Sequence, residues 1–400
     1  MNNVIIRVAG WCIVVLITLH VILLFSFNSS FSFAAKEESP KLICSKAFPC
    51  PPEIIARVYF WIDVYSRWNS NDAIFHDSEH PSRVYKVAVG ENCGVAAESS
   101  SIEARKHVIA SELHSLASRL RVSHTGLSPR QSSLLSLFPS KSAHEIEIAA
   151  DRIRCQSGNR DRFRQALDRY SRYSALVIPV LRDAGLPADI KYLPFVESLY
   201  SPVAYSRSGA AGLWQIMPAT AKELGLKLTA ELDERLDPEL ASKAAARYFV
   251  RSFHALMAAA KKIEPDSTPT MVSPFIVTSY NYGINGMRRA IEQHGPDYVS
   301  VVNNHRSPAF QVAVKNFYAS FLAARHVAKH ANVYFSINSR SAVLEYETIV
   351  LRNPASMERL IAIFGVEEDE LKRLNPALTR FVWYGWRLAP AGYRLRLPTR

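Results

Sequence analysis

The chain has 400 residues, is 48% hydrophobic and carries a formal net charge of +12. That length exceeds one small domain and fits two or three, and the apolar content excludes wholesale disorder. The basic excess favours an anionic partner, whether a phospholipid surface, a nucleic acid or a carboxylate-bearing polymer, without choosing among them.

The N-terminus narrows the choice. Arg7 precedes an uncharged stretch from Val8 to Phe27, followed by SSFSFAAKEESP with small residues at Ser32 and Ala34. This predicts an export signal over residues 1–35. The apolar run is also nearly long enough to span a bilayer, so a retained membrane anchor stays open beside a cleaved signal. Either reading puts the protein outside the cytoplasm, in the periplasm or cell envelope, and argues against a nucleic-acid partner. Cys12 lies in this segment, which leaves Cys44, Cys50, Cys93 and Cys155. Four cysteines in an exported chain allow two disulfides in three connectivities. The local pairing is Cys44–Cys50, which leaves Cys93–Cys155; free thiols are the alternative. The 12 histidines are scattered, and no Cys-x-x-Cys, His-Glu-x-x-His or calcium-loop pattern occurs. No metal site and no cofactor are expected. Oligomeric state is not legible.

Residues 36–142 read as a mixed α/β region. RVYFWIDVYSRW (57–68) has the aromatic and β-branched content of a strand, with helix the alternative. Residues 101–122 carry apolar positions at helical spacing. SHTGLSPRQSSLLSLFPSKS (123–142), rich in Ser and Pro, reads as a linker or surface loop. From Ala143 the pattern turns helical and stays so to residue 335. AHEIEIAADRIRCQ gives a broken amphipathic run, and residues 160–185 give a long one that Gly185 stops. Pro187 opens a short helix, and Asp237 with Pro238 forms an N-cap and first-turn pair for another. Residues 336–400 read as a small βααβ unit, with strands in LEYETIVL and YRLRLP and helices in SMERLIAIFGV and EEDELKRLNP.

The chemistry concentrates in VESLYSPVAYSRSGAAGLWQIMPATA (196–221). Ile190, Leu193 and Val196 give the helix from Pro187 a buried side, and Glu197 borders it. A carboxyl held against apolar walls loses hydration, stays protonated near neutral pH and can donate to a leaving oxygen. Gly209 and Gly212 let the backbone turn and approach a ligand, Trp214 offers a flat apolar platform, and Gln215 can donate and accept together. A blander account also fits: a solvated Glu, a tight helix contact at Gly-Ala-Ala-Gly, and a core Trp. Most glycosidases use two acids about 5–9 Å apart, and no second acid falls within this motif.

The stretch resembles the catalytic signature of the lytic transglycosylase family, whose soluble-type catalytic domain is related in fold to goose-type lysozyme. The matching positions are Glu197, Ser198, Ser206, Gly209, Ala210, Gly212, Leu213, Trp214, Gln215, Met217, Pro218, Thr220 and Ala221. The later Tyr-Asn-x-Gly element stands at Tyr280, Asn281 and Gly283. GNRDRF, LPADIKYLPFVES, DERLDPELASKAAARY, GMRRAIEQHG and KNFYASFLAA look like segments of the membrane-bound lytic murein transglycosylase D type. The resemblance implies a mainly α fold, with a goose-lysozyme-like catalytic domain over 143–335. The tail is similar to a lysin motif. Its usual Gly-Asp-Thr-Leu is replaced by NPASM at 353–357, which leaves glycan binding and a packing or positioning role both open.

The resemblance also implies peptidoglycan glycan strands as substrate and a mechanism with one acid. Glu197 would protonate the oxygen between N-acetylmuramic acid and N-acetylglucosamine, and the substrate's N-acetyl group would help stabilise the anomeric charge. The ionised Glu197 would then take the proton of the C6 hydroxyl as a 1,6-anhydro ring closes. Ser206, Gln215, Tyr280, Trp214, Met217 and Asn281 match substrate-contacting positions, with Tyr280 placed to hold the carboxyl. A hydrolytic muramidase on the same fold and a non-catalytic wall-binding protein are the alternatives.

Overall fold

Pro51 and Pro52 open the first helix of the computed structural model, which describes residues 40–94, 99–336 and 342–399. The expected export segment 1–35 lies outside the described residues. Helix α1 (Pro52–Ser66) replaces the strand read over residues 57–68. Proline at the first helical position is pre-organised for a helix, and no glycine interrupts the run. Its aromatic and β-branched residues are buried on nearly every side. Burial all round removes the one-sided periodicity that separates helix from strand in sequence.

Three antiparallel strands follow: β1 (Asp72–Asp77), β2 (Val84–Val89) and β3 (Ile153–Ser157), in the order β2-β1-β3. The central strand β1 is buried along its whole length. Helices α2 (Ser99–Val122) and α3 (Ala143–Ala150) enclose a core with the sheet that contains Phe75, Ile109, Leu113, Leu116 and Ile146. Two expectations change here. The segment read as a linker holds a helix over Pro129–Leu135, opened by a Ser128–Gln131 capping box, and it buries Leu134 and Phe138 in this core. The broken run after Ala143 is a helix followed by a strand, because Ile153–Ser157 completes the sheet edge beside β1. Disulfides join Cys93 with Cys155 and Cys44 with Cys50.

The larger core is helical, built from α4 (Arg160–Asp183), α5 (Leu193–Glu197), α6 (Pro218–Glu223), α7 (Pro238–Ile263), α8 (Pro269–Tyr282), α9 (Ile284–His294), α10 (Tyr298–Asn304) and α11 (Val312–Lys329). Helix α11 is buried from Val314 to Ala328, its polar residues Lys315, Asn316, Ser320, Arg325 and His326 included. It packs on α1, with the Tyr65 and Ser320 hydroxyls 2.6 Å apart, and on the segment before it, where Phe48 meets Phe321 at 5.1 Å. Asp237 caps α7 by accepting from the backbone N–H of Glu239 and Leu240 at 2.9 and 3.0 Å, with Pro238 at the first turn. The chain is therefore mainly α, with small sheets at either end.

In the tail, β4 (Glu347–Val350) and β5 (Arg394–Leu397) pair antiparallel around α12 (Met357–Phe364) and α13 (Glu368–Leu374). Its core takes in Leu232 from the segment before α7. That segment is stitched to the tail by backbone bonds from Asp233 N to Ala377 O (2.9 Å) and Thr379 N to Glu231 O (3.0 Å). Arg396 adds two hydrogen bonds to the Asp237 carboxylate, at 2.6 and 3.1 Å. Among the described residues no helix is long and apolar enough to cross a membrane.

Candidate active site

Glu197 is the last residue of the short helix α5, and the chain reverses sharply after it. Leu199 and Tyr200 take positive φ values of 51° and 61°, an unusual pair for residues with side chains. The reversal is held from inside: Tyr200 is fully buried and its hydroxyl donates to the Lys191 carbonyl at 3.0 Å. Ser198 then ties the acid-bearing helix to the glycine-rich bend by donating to the Leu213 carbonyl at 2.7 Å.

The bend is a narrow β-like ladder. Ala211 and Ile216 exchange backbone bonds of 3.2 and 3.0 Å, and Gly212 N donates to Ala204 O at 2.8 Å. Gly212 has φ 79°, and a Cβ there would sit 1.8 Å from the Arg235 carbonyl oxygen, so only glycine fits. The Arg235 side chain closes the bend. Its Nε and Nη2 donate to the Asp233 carboxylate at 2.9 and 2.8 Å, and its Nη1 donates to the carbonyls of Gly209 (2.7 Å) and Ile216 (3.1 Å). Asp233 also accepts from the Tyr205 hydroxyl at 2.8 Å.

Against this frame the Glu197 carboxyl stands alone. It has no hydrogen-bond or ion-pair partner among the described residues. Some of its surface still meets solvent, yet protein packs densely around it, and desolvation alone pushes its pKa up to about 8. A carboxyl in that state is protonated at neutral pH and can both give and reclaim a proton. Two phenols sense its charge. Tyr280 and Tyr65 are shifted upward by burial and then by Glu197. Tyr65 comes from α1, and no motif in the sequence signalled it.

The expected substrate-contacting residues divide. Gln215, Met217, Tyr280 and Asn281 line a cavity of about 530 Å³, with Thr220, Tyr248, Arg251, Asn285 and Arg289 in the same wall. Two other cavities, of about 420 and 450 Å³, carry none of the signature residues, so volume alone does not pick the site. Met217 is 42% exposed. Gln215 adopts φ 48° and donates from Nε2 to Gly212 O (2.9 Å) and Ala204 O (3.2 Å), which leaves its amide oxygen free for a ligand. Ser206 Oγ accepts from Ala210 N at 2.9 Å and so braces the bend.

Two roles change. Trp214 is not a platform in the cleft: it is 0% exposed, with its indole N–H donated to Ser242 Oγ at 2.8 Å. Its bulk and aromatic neighbours, Phe249 and Tyr280, make it the floor beneath the bend. Tyr280 does not grip the carboxyl, because its one phenolic proton goes to the Trp214 carbonyl at 2.8 Å. Its oxygen retains only acceptor capacity toward a protonated Glu197.

Comparison with known proteins meets this geometry at the same residues. The profile of the family described as Transglycosylase SLT domain matches residues 181–298, the stretch holding Glu197, the bend and the Tyr280 element. Over that stretch the chain is similar to SLT domains. Over 196 residues the chain is 26% identical to membrane-bound lytic murein transglycosylase D of Escherichia coli K12, which covers 49% of this chain and 40% of that protein. A shorter match, 44% identical over 59 residues, is to peptidoglycan transglycosylase gp16 of Escherichia phage T7, covering 14% of this chain and 4% of that one. The chain thus spans well under two thirds of these relatives. Among the described residues no group of three or more His, Cys, Asp or Glu is arranged to hold a metal ion.

Proposed function

We propose that the protein is a peptidoglycan lytic transglycosylase of the cell envelope, with Glu197 as the single catalytic acid and base. One observation carries the proposal: an unpartnered carboxyl, held neutral by desolvation, acts electrostatically on Tyr280, which lines a cavity with Gln215, Met217 and Asn281. Glu197 gives its proton to the glycosidic oxygen between N-acetylmuramic acid and N-acetylglucosamine, and the C1–O bond breaks. The neighbouring N-acetyl carbonyl of the substrate shares the positive charge at C1. The C6 hydroxyl then attacks C1, and Glu197 takes back a proton as the 1,6-anhydro ring closes. No water is consumed and the enzyme regains its starting protonation.

The family resemblance and the names of the two relatives support this reading, as does the absence of a second acid inside the signature. Residues 143–335 are taken as the catalytic part and 336–400 as a lysin-motif-like module. Digestion of purified sacculi tests the proposal. The intact chain should release muropeptides lighter by one water than their reducing-end counterparts, and the Glu197→Gln chain should release none. Reducing ends in place of anhydro ends would make it a muramidase, and binding to sacculi without release would make it a wall-binding protein.

A further inference from the structure

The cavity beside the bend holds more donors than the glycan chemistry uses. On α9, Asn285 and Arg289 lie four residues apart and share one face, while Met287, Ala290 and Ile291 are buried on the other. Across the cavity, α6 and α7 supply Thr220, Glu223 and Arg251. Glu223 is the sole acid in the lining, and Arg251 already pairs with it at 3.2 Å. Arg289 has no hydrogen-bond or ion-pair partner among the described residues, and the Asn281 and Asn285 amides are equally unengaged.

A wall of one unpaired guanidinium and two free amides calls for a ligand rich in acceptors. Guanidinium matches carboxylate in shape and charge, and amides match peptide carbonyls. A carboxylate uses both the charge and the planar fork, whereas a neutral hydroxyl uses at most one N–H. We infer that Arg289, with Asn281 and Asn285, forms a subsite for the carboxylate-bearing peptide attached to the muramic acid residue, contiguous with Gln215 and Tyr280. The inference rests on the glycan-cleaving function proposed above and adds a specificity: the enzyme prefers strands whose peptides keep free carboxylates.

Binding measured in a chain that cannot turn over keeps the two proposals apart, since sacculus digestion reads bond cleavage and the titration reads only the peptide contact. Calorimetric titration of the Glu197→Gln chain would compare a soluble disaccharide–peptide fragment with the same fragment carrying amidated peptide carboxylates. The free-carboxylate form should bind about tenfold more tightly, as one charge-assisted contact provides. Adding Arg289→Gln should erase that preference and leave affinity for the amidated form unchanged, while Arg289→Lys should keep part of it. Because Arg289 is exposed and unpartnered, these variants are expected to fold normally. Equal affinity for both fragments in the parent overturns the inference. So does a preference that survives Arg289→Gln, or an equal loss on both fragments.

Discussion

Arg235 reaches back across the motif to hold the Gly209 carbonyl at 2.7 Å while its fork is locked on Asp233. The guanidinium is buried, and so is the carboxylate. Removing one partner of such a pair strands a buried charge, which costs about 3–5 kcal/mol. Arg235→Ala should lower unfolding stability by that order in urea titrations. Arg235→Lys keeps the charge but cannot serve Asp233, Gly209 and Ile216 at once. It should retain more stability than alanine yet lose turnover on sacculi, because the bend bearing Ser206 and Gln215 is no longer fixed.

Gly212 offers a sharper test of the same contact. An alanine there meets backbone rather than a flexible side chain, with the Arg235 carbonyl 1.8 Å from the new Cβ. Either the bend or the Arg235 segment must shift, and φ 79° adds strain for any L side chain. Gly212→Ala should cost several kcal/mol or prevent folding. Gly209→Ala meets no atom within 4 Å and carries only the positive-φ penalty, about 1 kcal/mol. Thermal melts of the two variants compared directly check the difference.

The site was legible in the sequence because its demands are local. Glycines at a tight bend, an acid at the end of an apolar helix and an ordered amide–methionine–proline run are all visible within 26 residues. The long-range partners were not. Arg235 and Asp233 lie outside that stretch, and only the fold brings them to the bend. Trp214 was assigned to the cleft because sequence cannot tell a stacking face from a floor. The α1 error has a similar origin: burial on all sides gives a helix the composition of a strand. Strand β3 was missed because five residues at a sheet edge leave too little periodicity to read.

The tail enters the site through the same segment. Arg396 binds Asp237, the cap of α7, while Ala377 and Thr379 fix the backbone on either side of Leu232. Asp237 retains its bonds to the helix N-terminus, so Arg396→Met should cost less than the stranding of a fully unpartnered charge, about 2–3 kcal/mol. Hydrogen exchange should rise first over residues 229–237, and turnover should fall with it. Protection unchanged in that segment would show that the tail and the bend are uncoupled.

Glu197 itself carries a stability cost whose sign follows from its pKa. The folded carboxyl titrates near 8, against 4.5 for the ordinary group, so the folded chain keeps a proton that the unfolded chain releases. This contribution is favourable to folding below about pH 4.5 and is lost steadily as pH rises toward 8. At pH 7 the loss reaches at most about 3 kcal/mol, at 1.36 kcal/mol for each pH unit crossed. Glu197→Gln, which cannot ionise, should therefore be more stable than the parent at pH 7, with the gap closing by pH 4. If Glu197 is the proposed acid, the same carboxyl also sets the basic limb of activity. Turnover on sacculi should fall above an apparent pKa near 8, because the deprotonated acid has nothing to donate. Chemical denaturation of both chains from pH 4 to 9, beside the pH–rate profile of the parent, checks the two limbs together. A basic limb near pH 5, or a Gln variant less stable at every pH, would mean that Glu197 is solvated and that another group supplies the proton.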